Sequence, residues 1–235
     1  MKTLFITGAN SAISAEYVKK YEQSYECIIT HYAHRHDRID NLIELYGNKI
    51  IPICADLSCR NDVETLSKTL EKFEIDEVLH LAAPALRHQR FTKCKLTDFE
   101  LEMQVVYWSF VRLCQGILPG MIKRGHGHIL GVLTEYTITN QPAYLSHYIS
   151  AKFALLGLLK SLASEYGMKG IQVNGISPGM INTDFIANLP QYVIDENAKA
   201  MSKGRILCPD DLLPTIHYLM SEESVNINGQ NILLH

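Results

Sequence analysis

The chain has 235 residues, 47% of them hydrophobic and 20% charged, and carries a formal net charge of −3. That is enough chain for one large core, and with no block of like charge neither nucleic acid nor an anionic membrane is an expected partner. The six cysteines include no CxxC pair, and a core of this size needs no disulfide staples, so reduced thiols in a cytoplasm are expected.

The N-terminus, MKTLFITG, has too short an apolar run for a signal peptide and reads as a first strand. No stretch is expected to reach the ~20 apolar residues of a membrane span. TGANSAIS, 7–14, follows, leading into the helical period of AEYVKKYEQ. The second strand, CIITHY, carries His31 near its end and runs into a polar loop with His34 and His36, which puts the three close together. No carboxylate or cysteine stands at ligand spacing from them, so no metal is expected. IDNLIELYG is helical, KIIPICA a third strand, NDVETLSKTLEKF helical and EVLHLAA a fourth strand. A long helical segment spans 96–124. HILGVLT is the fifth strand, YISAKFALLGLLKSLASEYG a helix and IQVNGIS the sixth strand. Residues 182–203 are polar with scattered apolar positions, as in a flap with short helices over a site. DDLLPTIHYLMSE is helical and QNILL is the last strand.

Continuous apolar runs that alternate with helices predict an α/β fold: a Rossmann-like, doubly wound parallel sheet of about seven strands with helices on both faces. The expected organisation is a single Rossmann domain over 1–235, with the flap at about 182–203.

TGANSAIS sits where such a fold binds diphosphate, yet has one glycine, Gly8. Gly8 keeps the tight turn. Ala12 adds a methyl at a helix start, where alanine is favourable, and Ser14 adds a small polar group. Asn10 and Ser11 supply a polar pair, and the first helical amides, at Ala12 and Ile13, remain for an anion.

The strongest local signal is YISAK, 148–152. Tyr148 and Lys152 are four apart and share a helix face. A phenol ionises near pH 10. A neighbouring ammonium favours phenolate, and lowering the pKa to about 7 needs roughly 4 kcal/mol.

With Thr134 ending the fifth strand and VNGISPGMINTDF after the helix, the sequence resembles the short-chain dehydrogenase/reductase family, in the single-domain branch that includes 3-oxoacyl-carrier-protein reductases. The resemblance covers nearly the whole chain and is most specific over 127–185. It implies an NAD(P)H-dependent oxidoreductase that reduces a ketone, 3-oxoacyl substrates among them, to a secondary alcohol. Tyr148 would be the general acid. Lys152 would hold the nicotinamide ribose and tune the phenol. Thr134, where the family usually has serine, would donate to the carbonyl oxygen, with Glu135 as a competing alignment. Pro178, Gly179, Ile181 and Thr183 match the nicotinamide-side loop, Asp56 and Leu57 the adenine-contacting pair, and Ala82 lies in HLAA beside the adenosine. The family pairs into homodimers or homotetramers through its long helices.

Strand two ends at Tyr32, with no carboxylate before Asp37 and with Arg35 nearby. A guanidinium suits a 2′-phosphate, so NADP is favoured, while Asp37 keeps NAD open. The family's helix-four asparagine aligns with Val106. That departure, with Ala12 and Ser14, supports a second reading: a weakly active or inactive nucleotide-binding protein on the same scaffold. HLAA is more typical of the extended branch, whose substrate domain this chain has no room for.

Overall fold

The computed structural model describes residues 2–235. The strands are β1 Lys2–Thr7, β2 Tyr25–Tyr32, β3 Ile50–Cys54, β4 Glu77–His80, β5 Gly127–Val132, β6 Ile171–Pro178 and β7 Asn231–Leu234. The helices are α1 Ala12–Tyr21, α2 Asp37–Tyr46, α3 Arg60–Leu70, α4 Leu96–Glu102, α5 Ser109–Arg124, α6 Ser146–Tyr166, α7 Gln191–Ala200 and α8 Pro209–Leu219. All strand pairs are parallel, in the order β3-β2-β1-β4-β5-β6-β7. The expected α/β sheet of seven strands is what the chain forms.

The pleat explains the two cores. Leu4 and Ile6 face one side of β1 and Phe5 the other. On the first side Ile28, Leu79, Leu130 and Ile176 meet Val18 of α1, Leu42 of α2 and Leu213 and Ile216 of α8. On the second, Ile29, Val78, Ile129 and Val173 meet Leu66 of α3, Phe110 and Leu113 of α5 and Leu155 and Leu159 of α6. Each such side chain contributes about 1.5–3 kcal/mol when fully buried. Strands covered on both faces have no need to alternate, which is why they read as unbroken apolar runs.

α1 starts at Ala12 because the Ser11 side chain accepts from the Ser14 amide at 3.1 Å and caps the helix. α4 and α5 join through a π-helical turn, Met103–Trp108, and Gly125, at φ 69°, ends α5. One expectation is corrected here: the helical run Leu96–Arg124 is long and apolar enough to cross a membrane. Its apolar residues are spaced rather than continuous, so no unbroken apolar run marks it in the sequence. In this fold it is a core helix, with Val106, Phe110, Leu113, Ile117 and Met121 buried in the second core.

Candidate active site

The strand order reverses between β1 and β4, so their carboxyl ends open a cleft. Gly8 lies there at φ 66°, and a Cβ on it would come within 3.0 Å of the Ala82 backbone. Only glycine fits that turn. Thr7 and His80 hold the two strand ends together: the Thr7 hydroxyl lies 2.7 Å from His80 Nδ1 and accepts from the Leu81 and Ala82 amides at 3.2 and 3.3 Å. Its proton therefore goes to Nδ1, and His80 Nε2 donates to the Val106 carbonyl at 3.0 Å. Burial pushes the His80 pKa down to about 3, which keeps this neutral tautomer. His31 is neutral by the same cause; its Nδ1 accepts from the Gly8 amide at 3.2 Å and its Nε2 donates to Ala55 O at 2.9 Å.

The polar pair expected to cradle an anion is otherwise engaged. Asn10 Nδ2 donates to Asp37 at 3.0 Å, and its Oδ1 accepts from the Arg38 amide at 2.9 Å. Ser11 caps α1. The remaining features still fit a dinucleotide. Ala12 is half-buried at the turn's surface rather than packed into the core, and Ser14 is accommodated without a hydroxyl partner. Ala12 and Ile13 lie in the first turn of α1, where amides lack helical acceptors.

At the end of β2, Tyr32 is half-buried and Arg35 is exposed, within 3.2 Å of Asp37 and 3.6 Å of Asp184. Arg38, which the sequence reading passed over, reaches closer to the turn. It donates to Asn10 O at 3.1 Å and to Asp184 at 2.9 Å. The second arginine of HRHDR was its only signal. Asp56 accepts from the Ser58 amide at 2.9 Å, which holds its pKa down, while the Leu57 side chain is buried in the core. His31, His34 and His36 do not converge: His31 supports the turn and His36 pairs with Asp40 at 2.7 Å.

On the other side of the cleft, Thr134 follows β5 and faces α6. Tyr148 is 7% exposed and Lys152 4%. Lys152 Nζ lies 5.8 Å from the Tyr148 ring centroid and donates to Val132 O at 2.7 Å. Burial dominates the electrostatics. It raises the Tyr148 pKa, the Glu102, Tyr136 and Glu135 charges add to the rise, and the neighbouring Thr134 side chain alone opposes it. The ammonium-driven acidification expected from the sequence is therefore not what the structure holds: the ammonium is turned to Val132 O, and burial raises the phenol. Burial also lowers Lys152 to about 8. Glu135 turns toward the C-terminus, 3.4 Å from His235 Nε2, and Thr134 is the hydroxyl beside the phenol.

Glu102, at the end of α4, is 2% exposed with Oε2 unpartnered. Burial raises its pKa to about 7, against the opposing Lys152 and Arg87 charges. It precedes Val106 by four residues; nothing in the local sequence separates it from a surface glutamate. After β6, Gly179 donates to Leu234 O at 2.8 Å and packs against Met201, while Ile181 pairs with Leu207. Thr183 precedes the short turn Asp184–Ile186 in extended conformation, its side chain making no capping bond. Beyond it Phe185 and Leu189 pack with Tyr148, Leu86 and Leu145.

A family model described as enoyl-(acyl carrier protein) reductase matches residues 8–234. The chain belongs to the short-chain dehydrogenase/reductase family. It is thus an NAD(P)-dependent oxidoreductase by family. A 3-oxoacyl-acyl-carrier-protein reductase of Thermotoga maritima is 26% identical over 235 residues, covering 98% of this chain and 95% of that protein. A 3alpha-hydroxysteroid dehydrogenase of Mediterraneibacter gnavus is 26% identical over 235 residues, covering 97% and 93%. Among solved structures, a 3-oxoacyl-acyl-carrier-protein reductase of Brucella melitensis superposes with a TM-score of 0.88 at 23% identity, over 99% of this chain and 89% of that one. A gluconate 5-dehydrogenase-like protein of Beutenbergia cavernae, with bound NADP, gives 0.89 at 20% identity, over 99% and 94%. These two likenesses are of fold.

Proposed function

We propose that this short-chain dehydrogenase/reductase uses NADPH to reduce an apolar ketone, of which a 3-oxoacyl thioester is the leading class, to a secondary alcohol. The observation that carries the reading is the convergence of Tyr148, Thr134 and Lys152 at the open end of the sheet, under the side chains of Phe185 and Leu189. A reduced nicotinamide, when bound, supplies the hydride.

Tyr148 gives its proton to the substrate oxygen as that oxygen becomes an alkoxide. Burial keeps the phenol protonated, which is the state a reduction requires. Thr134 donates a hydrogen bond to the same oxygen. Lys152, near pKa 8, returns a proton downhill to the phenolate, and Glu102, near 7, returns one downhill to Lys152. Val106 offers no side-chain amide here, so a buried carboxyl is the group this chain provides instead. On the nucleotide side, the Ala12 and Ile13 amides would receive diphosphate, Gly8 and Ala82 would leave it room, Tyr32 and Asp56 would border the adenosine, and Arg35 and Arg38 would meet the 2′-phosphate. Residues 178–183 would border the nicotinamide, and 182–203 would act as the flap.

Leu96, Trp108 and Phe153 leave apolar side chains exposed on the long helices, and that face is where we propose two copies pair. Six free cysteines suit a reducing cytoplasm.

The test is NADPH titration followed by turnover of a panel of 3-oxoacyl thioesters and hydroxysteroid ketones. Reduction of one of these, lost in Tyr148→Phe with NADPH affinity intact, is expected. Tight NADPH binding with no turnover of any carbonyl overturns the reading in favour of a binding protein.

A further inference from the structure

The opposite end of the sheet, away from the cleft, carries a side-chain cluster that the reductase chemistry does not use. There β5 enters through GHGH, 125–128, and the short turn Glu222–Ser224 follows α8. His126 and His128 are two residues apart on an extended chain, so they project to one face. Their rings stand edge to face with centroids 5.4 Å apart. His126 Nδ1 is 3.3 Å from Glu222 Oε1, and one ligand atom from each of the three residues lies within 4.8 Å of the others.

The second observation is His128 itself. It is 1% exposed, and neither ring nitrogen has a hydrogen-bond partner. The Ser221 backbone beside it falls short of hydrogen-bond geometry. Buried imidazoles without partners are rare, because the lost hydration is not replaced. A nitrogen aimed into a cluster that contains another imidazole and a carboxylate is what a metal ion satisfies.

We propose that His126, His128 and Glu222 form a binding site for a borderline divalent cation of the Zn2+ type, with water as the fourth ligand. Two imidazoles and one carboxylate suit such an ion better than Ca2+ or Mg2+, which take oxygen ligands. Bonds of about 2.0–2.1 Å require the ligand atoms to draw inward. Glu222, with its side chain 62% exposed, and His126, at 32%, are free to move, while buried His128 fixes the position. Lys2 Nζ lies 3.8 Å from Glu222 Oε1, but Glu77 already holds it at 2.8 Å, so the longer contact yields to the ion. The bound ion joins the start of β5 to the turn after α8. It is a clamp on the fold and takes no part in the cleft.

The test uses the full chain, stripped of metal and kept reduced by a phosphine. Zn2+ titration by calorimetry is expected to show one equivalent bound and a raised Tm. His126→Asn and Glu222→Gln, both at accessible positions, are each expected to weaken binding by about tenfold or more. Co2+ in place of Zn2+ is expected to show tetrahedral d–d bands with no thiolate charge-transfer band, while NADPH binding is unchanged. Absence of stoichiometric binding, binding that survives both substitutions, or a thiolate band pointing to the cysteines overturns the proposal.

Discussion

Protonation of Tyr148, Lys152 and Glu102 is set by burial before any ligand arrives. Tyr148→Phe removes the proton donor, and turnover is expected to fall by about 10²–10⁴-fold with NADPH affinity retained. Thr134→Ser is expected to keep activity and Thr134→Val to lose most of it, since only the hydroxyl matters to the substrate oxygen. Comparing kcat for the two substitutions against a common ketone checks this. Glu102 is the sharper case. Its ordinary value is 4.5 and its folded value about 7. A folded acid with a raised pKa keeps its proton where the unfolded chain has lost it, so it costs stability as pH rises from 4.5 to 7. Glu102→Gln removes that cost. Urea unfolding of both proteins is expected to show the variant gaining up to about 3 kcal/mol on the wild type over this window. In kcat, the same substitution is expected to remove an ionisation near neutrality that a merely structural glutamate would not contribute.

Among the elements, the β1–α1 turn is the most constrained. Gly8 combines a positive φ with a backbone 3.0 Å from its missing Cβ. Gly8→Ala is expected to cost about 1–2 kcal/mol from the left-handed backbone alone, with NADPH binding lost as Ala82 is displaced. Calorimetric Tm and cofactor titration separate the two effects. The N-terminus of α2 is tied to this turn by Asn10 and to the 182–203 segment by Arg38 and Asp184. Arg38→Ala is expected to weaken NADPH binding while leaving NADH binding unchanged. Equal loss for both dinucleotides would mean that Arg38 only braces the turn.

At the scale of the whole molecule, two sets of buried groups oppose each other. Burial raises Glu77, Glu102 and Glu135, so the folded chain binds their protons more tightly. These groups add stability as pH falls toward 4.5. Burial lowers His31, His80 and His128, so below their ordinary value of 6.5 the unfolded chain takes up protons that the folded chain does not, and stability is lost. The sets act in opposite directions between 6.5 and 4.5. Below 4.5 the glutamates no longer contribute a slope, while His128, about 4, and His80, about 3, still do, joined by carboxylates held low in the fold, Asp56 and Asp211 among them, whose stabilisation is lost as they protonate. Unfolding free energies from urea titrations are expected to fall more steeply with pH below 4.5 than between 6.5 and 4.5, by about 1.4 kcal/mol per pH unit for each extra proton the unfolded chain takes up. A uniform decline from pH 6.5 would contradict this.

By itself the sequence determined the sheet, because seven apolar runs and intervening helical periods express local geometry and burial on both faces. It also determined that Tyr148 and Lys152 share a face, since a four-residue spacing is a property of any helix. Gly8 was legible as a turn residue for the same local reason. Only the tertiary structure decided the charge states. The Tyr148 phenol is held protonated rather than made acidic, because the walls around it come from α4, α6 and the 182–203 segment, far apart along the chain. Glu102, Arg38 and His128 look like ordinary polar residues in one dimension. Their roles arise from what they face across the fold, and desolvation, which fixes their protonation and their need for partners, exists only once those distant segments have packed together.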